Sequence, residues 1–451
     1  MPFRFGVVTL DRGWQAFVHA RVALDDGRES WGVAAEMLAP KWFDKDLTLT
    51  NEDNEEQLRA SLRIARSLYL ADAAPSPFAL YATTYRPQLE ACASRRLNAL
   101  VAAYGPALLD RAVLDAVCRC LGVTFQDAIR TNVPGIDPGD LAPDLAGFDV
   151  GAFLATLDAA DTIHARHTVG LVDPITDGDL ADRARVGDGL PETLAEVAGT
   201  YGHAYYKLKV GGDARQDVAR LTAIAHVLDR RAEPYHVTLD GNEQYEDVGA
   251  VIDLWRAIES TPALRRLAAS TLFIEQPVTR KRALDADVAQ LAAHRPVIVD
   301  ESDAEIDSFV RARERGYTGV SSKTCKGLYK SLLNRARCAK WNRDAGTPRC
   351  FMSAEDLTTQ AGPAVQQDLA LASVLGLTHV EKNGHHYVNG LAAATREEQQ
   401  AFLHAHPDLY HDAGGVVRLR IQDGRLAIGS LKCPGFATAA TPDFKTMRRI
   451  E

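Results

Sequence analysis

Short apolar runs recur through the middle of this chain, near 164–172, 204–210, 236–240, 271–275, 296–300, 318–323, 349–353 and 377–381, with helical segments between them. Strand–helix units spaced by roughly 20–40 residues build parallel sheet, and eight of them close into a (β/α)8-type barrel of about 250 residues. The runs show no polar alternation, as strands buried on both faces require. The chain is therefore read as α/β, with its function expected at one end of a barrel.

The flanks read differently. Residues 5–10, 16–22 and 30–36 alternate as strands do, separated by the turn signals Asp11-Arg12-Gly13 and Asp25-Asp26-Gly27, which predicts a three-stranded meander. From about Glu55 the period becomes helical, with Leu58, Leu62, Ala65, Leu68 and Leu70 on one rough face. Two further helices are expected near 86–104 and 106–121, the last stopping at Gly122. Strands followed by helices, unmixed, predict a separate α+β domain over 1–130. Residues 131–160 open rich in Pro, Gly and Asp and are the expected linker, and the barrel is assigned 161–395. The remainder, 396–451, carries a hairpin around Gln422-Asp423-Gly424 and is expected to return to the N-terminal domain.

Five successive runs end on a charge: Lys209 after Tyr206-Lys207-Leu208, then Asp240, Glu275, Asp300 and Lys323. Any one of these can be a solvated loop group, but the carboxyl ends of barrel strands form a single mouth, so the five converge. Three carboxylates on one axis stay ionised together only around a cation. An oxygen-only set without His or Cys selects a hard divalent ion, Mg²⁺ first and Mn²⁺ second. Lys209 and Lys323 then lie on opposite sides of the ion. A lysine beside a metal and a second lysine loses part of its preference for the ammonium form. That makes Lys209 a candidate base and Lys207, on the same strand face, its tuning neighbour.

These segments resemble the enolase superfamily, in its muconate-lactonizing-enzyme-like, two-lysine subgroup. Tyr206-Lys207-Leu208-Lys209 is similar to the Lys-x-Lys of the second barrel strand. Asp240-Gly241-Asn242, Ile274-Glu275-Gln276-Pro277 and Val299-Asp300-Glu301-Ser302 resemble its three metal-ligand motifs. Ser322-Lys323-Thr324-Cys325-Lys326-Gly327 resembles the sixth-strand Lys-x-x-Lys-x-Gly segment. The likeness extends to residues 112–117, similar to the last capping-domain helix, and to Asp423-Gly424 and Pro434-Gly435, similar to the C-terminal return. The resemblance implies a modified, enolase-like barrel with an α+β capping domain. It also implies Mg²⁺-dependent removal of a proton α to a substrate carboxylate through an enediolate, with Lys209 and Lys323 as base and acid on opposite faces. Racemisation or epimerisation is the first expectation. Syn β-elimination, as in a dehydratase or lyase, and cycloisomerisation share the same first step, and a non-catalytic metal-binding scaffold is the rival from another class.

Asn242, Gln276 and Glu301 stand beside the ligands and are expected to support them from behind. Lys326 either tunes Lys323 or points to solvent. Two departures from the subgroup's pattern stand out: Gly327 is followed by Leu328-Tyr329 where a second glycine is usual, and the His–Asp pair of the mandelate-racemase and sugar-acid-dehydratase branches has no counterpart. The seventh run instead closes on Met352-Ser353-Ala354-Glu355-Asp356.

Four residues are candidates for substrate contact. Glu355 and Asp356 either meet a substrate cation, hydrogen-bond Lys323, or, with Ser353, open the next helix. Lys382 and His385, within Val380-Glu381-Lys382-Asn383-Gly384-His385-His386-Tyr387, either bind substrate or belong to a solvated loop. Trp14, Gln15, Lys41, Trp42 and Phe43 are expected in loops that close over the mouth or in the domain interface. His164 and His167 face opposite sides of a strand and are set aside as a metal pair, and His404 and His406 are expected to be exposed. A net charge of -9 argues against nucleic acid and anionic membrane surfaces, and no run approaches membrane-spanning length. Seven scattered cysteines without zinc-ligand spacing, and an opening without a signal-type apolar core, point to the cytoplasm. Gly211-Gly212 lacks the rest of a dinucleotide fingerprint. The expected partners are a small-molecule carboxylate and further copies of the chain in a homo-oligomer.

Overall fold

In the computed structural model, which describes residues 3–5, 8–71, 73–180, 185–357 and 360–450, the chain opens with two antiparallel hairpins in place of the expected meander. β1 (Phe3–Phe5) pairs with β2 (Val8–Leu10), and β3 (Gln15–Ala23) with β4 (Glu29–Met37). Residues 6 and 7 of the expected first strand lie outside the described residues. Helices α1 (Asn51–Ala71), α2 (Pro77–Ala93) and α3 (Ala99–Leu121) follow. The backbone of α3 lies directly on β4: a Cβ at Gly32 would come within 2.1 Å of Ala112 O, so glycine is what permits the contact.

The expected helix break near residue 105 is absent, and α3 runs through Pro106. Proline leaves the Ala102 carbonyl without its intrahelical N–H. Ser61 Oγ at 3.1 Å and Gln88 Nε2 at 3.0 Å, from α1 and α2, donate to it instead. Tertiary partners thus replace the lost bond. The helix starts one residue after Asn98, whose Oδ1 accepts from Val101 N, a cap contributing about 1 kcal/mol.

After α4 (Phe125–Arg130) and α5 (Val150–Leu154) the barrel begins. Its strands and helices are β5 (Thr162–Val169), α6 (Leu194–Tyr201), β6 (Tyr205–Lys209), α7 (Ala214–Leu228), β7 (His236–Asp240), α8 (Val248–Ser260), α9 (Arg265–Ser270), β8 (Thr271–Glu275), α10 (Arg280–Ala283), α11 (Ala289–His294), β9 (Val297–Val299), α12 (Ser308–Glu314), β10 (Gly319–Ser322), α13 (Leu328–Ala345), β11 (Phe351–Ala354), α14 (Pro363–Val374) and β12 (His379–Glu381). All eight strands are parallel, neighbour follows neighbour in chain order, and β12 pairs back onto β5 through Val380↔Ala165. This closed parallel barrel, capped by an α+β N-terminal layer, is the expected fold.

The tail contributes α15 (Arg396–Ala405), β13 (Tyr410–Ala413), β14 (Val416–Leu419), β15 (Ile421–Gln422) and β16 (Arg425–Ala427). β16 runs antiparallel to the first half of β5, Leu426 opposite Ile163, so the hairpin extends the barrel sheet. The segment beyond it reaches the N-terminal helices: Phe436 stacks on Phe125 at 3.8 Å, and Asp115 Oδ1 accepts from Phe436 N and Thr438 Oγ1. His404 is exposed as expected, but His406 is buried, its ring between Ser430 Oγ at 3.1 Å and Ala439 N at 3.4 Å. Among the described residues no helix is long and apolar enough to cross a membrane.

Candidate active site

The barrel register sets Lys209, Asp240 and Glu275 in one row across β6, β7 and β8. Alternation turns Lys207 and Lys209 inward together. Asp300 follows β9 two residues beyond that row, beside β10, where Ser321 Oγ donates to its Oδ1. Lys323, at the end of β10, donates to Asp300 Oδ2 at 2.7 Å. β6 and β10 are four strands apart in a ring of eight, so Lys209 and Lys323 approach the mouth from opposite walls. Both line one pocket with Lys207, Asn242, Asp356 and Glu381.

Each carboxylate is fully buried. Asp240 Oδ2 receives Lys209 at 2.5 Å and Lys207 at 3.0 Å, and its Oδ1 accepts from Asn242 N at 2.8 Å. Burial pushes its pKa up, but the two lysines outweigh that and hold it below the usual carboxylate value. Asp300 is also lowered, burial being overcome by Lys323 and Lys326. Glu275 behaves oppositely: burial, Asp240 and Glu355 push its pKa well up. Its Oε1 takes Lys207 at 2.9 Å, while its Oε2 has no hydrogen-bond partner among the described residues.

Lys207 is more than a neighbour of Lys209. Its ammonium touches four carboxylates, Asp240, Glu275, Glu355 at 2.8 Å and Glu381 at 3.0 Å. Burial alone would lower its pKa, yet these four anions raise it well above that of a free lysine. Lys323 is raised in the same sense, burial being overcome chiefly by Asp300. The Trp42 ring, from the N-terminal layer, covers Lys323 Nζ at 4.2 Å from its centroid.

The supporting residues are held by specific bonds. Gln276, in the left-handed region at φ 35°, accepts from Asp300 N and Ser302 N through Oε1, fixing the backbone that carries Asp300. Asn242, at φ 40°, donates through Nδ2 to Glu301 Oε1 at 3.1 Å, and its Oδ1 is unpartnered among the described residues. Lys326 points inward, to Ser321 O at 2.8 Å, Asp300 and Asp303, so the solvent alternative is excluded. Lys45 spans Asn242 O at 2.8 Å and Glu243 at 2.9 Å. Arg280 ties Glu243 to the carbonyls of Trp42 and Phe43. These bonds fasten the 42–45 segment over the mouth. Lys41 turns away to the carbonyls of Asp46 and Leu49, and Trp14 is 65% exposed, outside the pocket lining.

The substrate-contact candidates divide. Asp356 lines the pocket and accepts from Asn383 N at 3.0 Å, its pKa raised by burial. Glu355 does not reach Lys323: it holds Lys207, accepts from Ser353 Oγ at 2.6 Å and pairs with Arg166. Nor does it open a helix, since α14 starts only at Pro363. Lys382 and His385 are neither solvated nor in the pocket. Glu381 takes the inward place at the end of β12, so Lys382 turns outward and bonds Asp368 of α14 at 2.5 Å. His385 packs behind the barrel wall against His167 and His203.

Two central residues escaped the sequence reading. Glu381 closes the eighth run as the other charges close theirs, and the same rule applied to Val380-Glu381 finds it. Arg166 stands in the middle of a buried barrel strand, a position a cation occupies only with buried anions to meet it. It meets Glu355, the Ala354 carbonyl at 2.9 Å and His379 Nδ1 at 2.5 Å.

Three carboxylates from adjacent strands, an oxygen-only donor set and the unpartnered Glu275 Oε2 fit a hard divalent cation.

The sequence profile of the enolase C-terminal domain-like family matches residues 190–437. The chain belongs to this family, and with it to the isomerases and lyases of the enolase superfamily. Among solved structures it is similar to a muconate lactonizing enzyme from Mucobacterium smegmatis complexed with muconolactone, at 18% identity and a TM-score of 0.56, over 99% of this chain and 93% of that one. An isomerase from Streptomyces coelicolor A3(2) gives 18%, 0.57, 96% and 89%. A muconate lactonizing enzyme from Klebsiella pneumoniae gives 18%, 0.55, 94% and 94%. No curated protein matches the sequence.

Proposed function

We propose that the chain removes a proton from the carbon α to a substrate carboxylate, with Lys209 and Lys323 acting on opposite faces of that carbon. The observation that carries this reading is their placement at the ends of β6 and β10, across the barrel, inside one pocket above Asp240, Glu275 and Asp300. Asp240, Glu275 and Asp300 would hold Mg²⁺, or Mn²⁺, whose chemistry here is to stabilise negative charge developing on the substrate carboxylate. Lys207 keeps Glu355 and Glu381 as partners when Asp240 and Glu275 turn to the cation, so it stays an ammonium and completes the charge balance of the floor. Lys209 Nζ takes the proton on one face, and Lys323 Nζ returns or holds one on the other. Gln276 and Asn242 keep the ligands in place, and Trp42 excludes water from Lys323.

Racemisation or epimerisation suits two opposed lysines best. Syn β-elimination and cycloisomerisation use the same first step, with one lysine stabilising charge. Besides its charged groups the pocket is lined by Leu10, Met37, Ala39, Trp42, Leu357 and Val388, with Asp11 and Arg12 also in the lining. A small carboxylate with an apolar substituent fits it. The test is solvent-deuterium exchange at the α-carbon across a carboxylate library in Mg²⁺. Exchange lost in Lys209→Ala and Lys323→Ala is expected; full exchange in both variants would sink the assignment.

A further inference from the structure

Outside the barrel wall, three imidazoles from distant parts of the sequence meet. His167 is the outward residue of β5 between Arg166 and Thr168, His203 lies in the turn before β6, and His385 follows β12. All three are buried. His385 Nε2 stands 3.1 Å from His203 Nε2 and 3.1 Å from His167 Nδ1, and one nitrogen from each ring falls within 4.8 Å of the other two.

The hydrogen-bond accounting within the cluster does not close. His203 Nδ1 lies 2.9 Å from the Ala165 carbonyl, which only accepts, so this nitrogen carries the proton. Burial holds the pKa of His203 at about 4 and drives those of His167 and His385 well below 6.5, so all three rings are neutral near pH 7. His203 Nε2 is then a bare lone pair. A single ring nitrogen is either a donor or an acceptor. If His385 Nε2 carries hydrogen, one N–H must serve both neighbours. If it does not, two lone pairs face each other at 3.1 Å. One cation at the centre uses all three lone pairs at once. Two imidazole nitrogens on a tetrahedral zinc-class ion are separated by roughly 3.3 Å, as follows from metal–nitrogen bonds of about 2.0–2.1 Å.

We propose that His167, His203 and His385 form a second cation site, for a borderline transition ion of the zinc class, which fastens the loop after β12 to the barrel wall. Neutral imidazoles without carboxylate select Zn²⁺, Co²⁺ or Ni²⁺ over the hard ions suited to the three carboxylates of the mouth. One tetrahedral position remains for water. The loop it anchors carries Asn383, which bonds Glu381 and Thr168, and then Tyr387 and Val388 of the pocket lining. The ion's place is therefore structural, behind the site, with its effect reaching the pocket through that loop.

Chelator-stripped protein in excess Mg²⁺ is titrated with Co²⁺. One equivalent is expected to bind with the visible absorption of tetrahedral, nitrogen-ligated cobalt and to be displaced by Zn²⁺. The absorption should vanish in His385→Gln and His167→Gln and persist in Glu275→Gln. No cobalt absorption in the wild-type protein, or absorption that survives both histidine substitutions, overturns the proposal. If the histidine variants fail to fold, anomalous diffraction from zinc-soaked wild-type crystals decides: a peak among the three rings supports the site, and none there refutes it.

Discussion

Replacing Arg166 by leucine tests how the floor of the barrel is held together. The guanidinium and the Glu355 carboxylate are both fully buried, and Arg166 also donates to the Ala354 carbonyl and meets Ser353 and His379. Removing one member of such a buried pair typically costs about 3–5 kcal/mol, because the other charge is left without its partner. Here Glu355 keeps Ser353 Oγ at 2.6 Å and Lys207 at 2.8 Å, so the lower end, about 3 kcal/mol, is expected. The double variant Arg166→Leu/Glu355→Leu removes one charge of each sign and leaves Lys207 with Asp240, Glu275 and Glu381. It should recover most of the loss, since buried pairs exchanged for apolar groups are often near neutral. Urea denaturation of both variants, with midpoints converted through the wild-type slope, measures the difference. A single variant costing under about 1 kcal/mol, or a double variant no more stable than the single, refutes the paired-charge account.

Lys209→Ala and Lys323→Ala should each lower turnover by about 10²–10⁴-fold, the usual range for a general acid or base, while circular dichroism stays native. Chelator dialysis should abolish deuterium exchange and Mg²⁺ restore it, whereas Glu275→Gln should respond weakly to added Mg²⁺. Arg280→Met removes charge-assisted bonds worth about 1.5–3 kcal/mol from the clamp between Glu243 and the Trp42 and Phe43 carbonyls, so KM should rise at least about tenfold with kcat less affected. His406 accepts from Ala439 N through Nε2, and burial holds its pKa at about 4, below the ordinary 6.5. The folded state therefore binds this proton less readily than the unfolded chain, and the stability it contributes is complete above pH 6.5 and falls as pH drops toward 4. The gap corresponds to at most about 3 kcal/mol, and His406→Asn should flatten that part of the stability–pH curve relative to wild type.

Much of the site was legible because barrel geometry converts a one-dimensional rule into a place. Each strand delivers its last inward residue to the same mouth, so Lys209, Asp240, Glu275, Asp300 and Lys323 could be placed together before any contact was known. Period-2 alternation also carried Lys207 inward and separated His164 from His167. What failed were statements that needed a partner from elsewhere. The helix expected to break between residues 104 and 106 runs on, because Ser61 and Gln88 reach the Ala102 carbonyl that Pro106 leaves stranded. Lys382 and His385 read as solvated or substrate-facing until α14 and the outer barrel wall supply buried partners.

By itself, then, the sequence determined the barrel, the order of its strands and the identity of five of the charges at its mouth, because these follow from local periodicity and strand polarity. Only the tertiary structure decided the charge balance of the floor, where Arg166, Glu355 and Glu381 join Lys207, and the meeting of three histidines behind the wall. Those arrangements depend on side chains up to 218 positions apart finding each other across the closed sheet, and local spacing carries no record of that distance.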